Sequence, residues 1–151
     1  MKISPLAILL SDKFKPDKKF YFISGNEKTL MEKMRSKIIE EIQKDKDVQI
    51  KNINTISGFV DEVGLFEKEN LYVVSDYKGI TEDNLKKIRV TRNNFIFFQE
   101  NSQKIKKLKN IFDLDKDSYL IDCYELDRDS KIKILNYFLN KNKLEVSQEV
   151  Y

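Results

Sequence analysis

Phe20-Tyr21-Phe22-Ile23-Ser24-Gly25-Asn26-Glu27-Lys28-Thr29-Leu30-Met31 passes from an unbroken aromatic and β-branched run, through a turn, into the opening of an amphipathic helix. Four consecutive apolar residues leave the strand no polar face for water, so both of its sides must be covered, as in a parallel α/β sheet. From Lys28 onward Leu30, Met34, Ile38 and Ile42 recur at every fourth residue with Met31 and Ile39 beside them. Glu32, Lys33, Lys37, Glu40 and Glu41 cover the other faces. A buried strand followed by such a helix is the first half of a β-α-β unit, and the alternation extends along the chain.

Upstream, Ser4-Pro5 reads as an N-cap and a first-turn proline opening a short helix through Leu6, Leu9 and Leu10, which Pro16 ends. Downstream, Val48 to Ile53 is a second strand, and Ile56, Phe59, Val60 and Val63 have the spacing of a short helix closed by Gly64. Leu71 to Val74 is a third strand. Thr81 caps a helix that begins Glu82-Asp83, acidic at its positive dipole end, and turns Leu85 and Ile88 inward. Phe95 to Phe98 is a fourth strand, Ser102 caps a helix with Ile105, Leu108, Ile111 and Phe112 inward, and Tyr119 to Cys123 is a fifth. The expected fold is a three-layer α/β domain with a mainly parallel five-stranded sheet, its strands near residues 20–23, 48–53, 71–75, 95–98 and 119–123.

After Cys123 the pattern changes. Asp127 or Asp129 caps a helix through Ile132, Leu135, Phe138 and Leu139, no strand follows, and Ser147 reads as the N-cap of one more helix of which Tyr151 lies in the first turn. The expected division is an α/β domain over residues 1–124 and the beginning of a small helical domain over 125–151.

Lys+Arg number 28 and Asp+Glu 25, so the net charge is only +3 with the signs interspersed, and no strong field for nucleic acid or membrane is implied. There is no His, which removes Ser-His and Cys-His nucleophile pairs, imidazole acid–base catalysis and His metal ligands. Cys123 sits in an apolar run and reads as a strand residue, not a nucleophile. Leu6 to Leu10 is too short for a signal-peptide core or a membrane span. The expectation is a cytoplasmic protein with no membrane contact, no metal, no cofactor and no catalytic residue.

The turn after the first long strand is where such a sheet would hold phosphate. A phosphate loop needs a second Gly and a Lys where this chain has Leu30 and Met31; Lys28-Thr29 comes three residues too early, and Glu27 would repel a triphosphate. The third strand exits through Val74-Ser75-Asp76-Tyr77, with an acid but no adjacent Glu to activate water. An enzyme built from Asp76, Lys28 and Thr29 is the alternative reading, together with a generic interaction domain of P-loop-like architecture. Lys104, Lys106, Lys107 and Lys109 could touch phosphates, but the apolar residues interleaved with them make a solvated helix face the simpler reading.

The connector Gly64-Leu65-Phe66-Glu67-Lys68-Glu69-Asn70 begins with two large apolar side chains where polar residues are expected. One residue after a helix cap can contact the last turn, but two adjacent ones cannot share that contact. Leu65 and Phe66 either tuck under their own domain or stand out as an anchor for another protein.

Taken together, the P-loop-less α/β pattern, the Gly25-Asn26-Glu27 turn followed by Leu30, the Leu65-Phe66 pair before the Leu71 strand and the helical continuation resemble the delta subunit of the bacterial DNA polymerase III clamp loader over essentially the whole chain. The resemblance implies an AAA+-type domain that is non-catalytic by itself, with ATP used by partner subunits in the holoenzyme. It implies that Leu65 and Phe66 insert into an apolar pocket of the ring-shaped sliding clamp and favour the open ring. Other clamp-loader subunits would be contacted by further domains, and DNA only through the complex. No arginine is assignable as a finger to a neighbour's ATP.

Overall fold

The computed structural model describes residues 1–12, 14–59 and 69–142. Six strands form one sheet: β1 (Lys2–Ile3), β2 (Phe20–Gly25), β3 (Gln49–Ile53), β4 (Asn70–Val74), β5 (Asn94–Glu100) and β6 (Ser118–Cys123). Their order is β1-β6-β2-β5-β4-β3, and all five pairings are parallel. The sheet therefore has six strands, not five. The addition is β1, whose two residues pair Lys2 with Leu120 and Ile3 with Ile121; two residues are too few to carry a period of two. The Met1 ammonium locks this edge by donating to the carbonyls of Phe112, Asp115 and Ser118 at 3.0, 3.2 and 3.0 Å.

The helices are α1 (Pro5–Leu9), α2 (Lys28–Asp45), α3 (Glu82–Arg89), α4 (Lys106–Leu114) and α5 (Arg128–Lys141). Side-chain oxygens of Ser4, Thr81 and Asp127 accept the third amides of α1, α3 and α5, as N-caps do. Ser102 makes no such bond, because a 3₁₀ turn over Gln103–Ile105 precedes α4. α1 ends at Leu9, well before Pro16, with the Leu10 amide donating to the Leu6 carbonyl. Residues 54–59 form turns and bends instead of the expected short helix, with Gly58 at φ 70°. The remainder of that expected helix, Val60 and Val63, and the Ser147 helix lie outside the described residues.

Every residue of β2 and β4 is buried, as strands covered on both faces require. One core layer packs Tyr21, Ile23, Leu71, Val73, Ile96 and Ile121 against α1 and α2 through Ile8, Leu30, Met31, Met34, Ile38 and Ile42. The other packs Phe20, Phe22, Tyr72, Val74, Phe95 and Phe97 against α3 through Leu85 and Ile88, against α4 through Phe112, and against the preceding 3₁₀ turn through Ile105. The result is a three-layer α/β fold of the Rossmann/P-loop-like class. The helix expected after Asp127 is present as α5; it buries no residue, and Ile134 with the preceding Leu126 packs partly buried on the α1/α2 core. Tyr137 ties it down further by donating its hydroxyl proton to Asp12.

Candidate functional site

The chain leaves β2 towards α2 on one face of the sheet and leaves β5 towards α4 on the other, so the crevice between the C-terminal ends of β2 and β5 is where an open α/β sheet holds its ligand. Gly25 is still part of β2, paired with Glu100 on one side and Cys123 on the other. The next two amides, of Asn26 and Glu27, both donate to the Cys123 carbonyl at 3.1 Å. In a phosphate cradle successive amides converge on the anion; here two of them converge on the protein's own backbone. Across the crevice Asn101 N–H donates to the Gly25 carbonyl at 2.9 Å, and Lys28 Nζ meets Glu100 Oε1 at 3.0 Å.

Leu30 and Met31, where a phosphate loop needs Gly and Lys, are core residues at 5% and 0% exposure. Lys28 points outward, with most of its side chain in solvent. Asp76 Oδ1 accepts the Lys78 amide at 2.9 Å, the local turn bond typical of such a residue. Cys123 is buried, and burial pushes its thiol up to about 12, so the nucleophilic thiolate is not the form present near neutral pH. Among the described residues no group of three or more His, Cys, Asp or Glu could hold a metal ion, and no helix is long and apolar enough to cross a membrane.

Sequence reasoning missed the charged network beside this crevice. Asp122 meets Lys109 Nζ at 2.8 Å and Lys2 Nζ at 3.0 Å, and Ser24 Oγ donates to it at 3.3 Å. Lys109 also donates to the Tyr124 hydroxyl at 3.4 Å, and Asn101 Nδ2 donates to the same oxygen at 2.8 Å. Lys109 is thus committed to holding α4 on β6, whereas Lys104, Lys106 and Lys107 stand in solvent. An alternating strand pattern hinted that Asp122 shares a face with Leu120, but only the crossover brings Lys2 and Lys109 to it.

Burial pushes the Asp122 carboxyl up, but the hydrogen bonds and charges of Lys109 and Lys2 more than offset this and leave it below the usual carboxylate range. Burial pushes the Asp115 carboxyl up as well, and Arg89, the Asp117 amide and Ser118 together bring it below that range. A carboxyl whose folded pKa is depressed stabilises the fold above its unfolded value of about 3.9 and loses that contribution as pH falls through the folded pKa. Urea titrations of the wild type are expected to show stability falling below about pH 4. Asp122→Asn should cost about 1.5–3 kcal/mol at pH 7 and flatten the acid dependence. An unchanged slope in the variant would remove the Asp122 network from this account.

Leu65 and Phe66, the expected anchor pair, lie outside the described residues. The ends of their connector are placed. Phe59 packs edge-on against Tyr72 and Phe95, with centroids 4.9 and 5.5 Å apart. The Glu69 carbonyl accepts the Gln49 amide at 3.1 Å, and the Asn70 amide donates to Asn93 Oδ1 at 3.0 Å. The connector therefore returns at the N-terminal edge of the sheet, opposite the crevice. Neither the protein-family models nor the curated proteins contain a match to this chain.

Proposed function

We propose that this chain is a clamp-loader delta-type module: a non-catalytic AAA+-type domain with the start of a helical domain, which binds a DNA sliding clamp through Leu65 and Phe66 and favours its open form during replication. The observation that carries the reading is the crevice of a P-loop-like sheet closed by the chain's own backbone, with the Asn26 and Glu27 amides on the Cys123 carbonyl. A fold of the nucleotide-binding class whose phosphate turn is filled retains its rigid frame and is suited to presenting a partner surface. Further support comes from α5, which carries six apolar or aromatic residues from Ile132 to Leu139 and buries none of them, as the first helix of a further helical unit would. The protein works in the cytoplasm beside the other clamp-loader subunits, and reaches DNA through that complex.

Burying a Leu and a Phe side chain supplies roughly 3–6 kcal/mol before association costs. Opening the ring further requires tighter binding to the sprung protomer than to the closed one, since equal affinity shifts nothing. The test is one double variant, Leu65→Ala with Phe66→Ala, read by a melting curve and by capture on the immobilised sliding clamp of the same genome. The expected result is an unfolding midpoint within about 2 °C of wild type, as for surface changes, with capture abolished. A large fall in the midpoint would return the pair to the protein's own core and sink the reading.

A further inference from the structure

We infer that the carbonyls around the Met1 nitrogen make β1 a modification-sensitive edge: they accept only a free α-ammonium, and an acyl group on that nitrogen unseats the strand from β6 and from the end of α4. The ammonium lies 3.0, 3.2 and 3.0 Å from the carbonyl oxygens of Phe112, Asp115 and Ser118, one acceptor for each of its three N–H donors. Phe112 is in the last turn of α4 and Asp115 is its C-cap. Carbonyls there have no following helical amide to receive, and the negative end of the helix dipole favours a cation. Acylation would change both charge and shape. An amide nitrogen is planar, uncharged and keeps one N–H, so at least two of the three bonds are lost. The new C–N bond of about 1.33 Å would also replace an N–H aimed at one of these oxygens, placing the acyl carbon inside van der Waals contact with it.

β1 has little else to hold it. It is two residues long, paired with Leu120 and Ile121 of β6, and the Leu120 amide donates to the Met1 carbonyl at 2.9 Å. Ile3 is only partly buried against the α1/α2 core. The strand nevertheless carries Lys2, whose Nζ is 3.0 Å from Asp122, the carboxylate that Lys109 of α4 meets at 2.8 Å. Unseating β1 therefore takes one of two cations from Asp122 and removes the ammonium from the end of the same helix. The reaction class that restores the edge is hydrolytic deacylation: water adds to the acyl carbon, the C–N bond breaks, and an N-formyl chain yields formate and the protonated amine. Water is the only co-reactant. The device is independent of what the chain binds.

The test compares the full chain in three forms, each assigned by intact mass: a free Met1 amine, an Nα-formyl Met1 prepared with deformylation blocked in the producing cells, and a chain extended by Gly-Ser before Met1. The expected result is a melting midpoint at least about 5 °C lower in both blocked forms, with hydrogen exchange of the Leu120 amide at least tenfold faster. Lys2→Ala with a free amine separates the ammonium contacts from the Lys2–Asp122 pair, and should leave the Leu120 amide protected. If the formyl form does not fold, the Gly-Ser form decides by the same two readouts. A midpoint within about 1 °C of the free-amine form, or a fall without faster exchange at Leu120, overturns the inference. Loss of Leu120 protection in Lys2→Ala equal to that in the blocked forms overturns it too, because the ion pair and not the ammonium would then hold the strand.

Discussion

Gly25→Ala is expected to abolish the folded state, or to lower its stability by more than about 4 kcal/mol, the range reserved for severe backbone or core defects. A Cβ at this position would lie 2.0 Å from the Cys123 carbonyl oxygen and 2.6 Å from its carbon, and both are backbone atoms that cannot rotate away. The residue also sits at φ 142°, a conformation that L side chains rarely adopt. Relief would require β2 and β6 to separate at their C-terminal ends, which breaks the amide bonds from Asn26 and Glu27. Gly58→Ala is the control: φ is 70° there, but a Cβ meets nothing within 4 Å, so only conformational strain of about 1–2 kcal/mol applies. Urea unfolding of both variants checks the contrast. Equal, small losses would mean that the close approach of β6 to the β2 turn is not as described.

Phe112→Ala is expected to cost about 3–5 kcal/mol, while Leu114→Ala, two residues away on the same helix, should change stability by less than about 0.5 kcal/mol. Phe112 is fully buried, with its ring 4.8 Å from that of Phe22, 5.2 Å from Phe97 and 6.2 Å from Phe20. Truncating it opens a cavity among aromatic rings fixed on two strands, which cannot collapse into it. Leu114 loses little because it is already in water. The measurement is chemical denaturation of the two single variants. A Leu114→Ala loss comparable to that of Phe112→Ala would show that Leu114 packs within the fold.

The layers of this protein are legible in its residues because burial imposes a period. Leu30, Met34, Ile38 and Ile42 recur at helical spacing and all face the core, and the run Phe20 to Ile23 is apolar throughout because helices cover both of its faces. The failures occurred where periodicity is weak or shared. Lys2–Ile3 pairs through its backbone, and residues 54–59 have helical apolar spacing but lie in turns. The anchor pair Leu65-Phe66 was legible only as two apolar residues out of place in a connector.

Residue identity by itself determined the fold class, most of the capped helix starts, the mismatch between Leu30-Met31 and a phosphate loop, and the exclusion of histidine chemistry, because each depends on local side-chain type and spacing. Tertiary structure alone decided the strand order, the occupation of the Asn26 and Glu27 amides by the Cys123 carbonyl, and the meeting of Lys2, Lys109 and Asp122. Asn26 and Glu27 meet Cys123, more than 90 positions away, through β6 lying beside β2, and Lys2 reaches Asp122 through β1 lying beside β6. A backbone carbonyl has the same chemistry in every residue, so only the register of neighbouring strands determines which amides it receives.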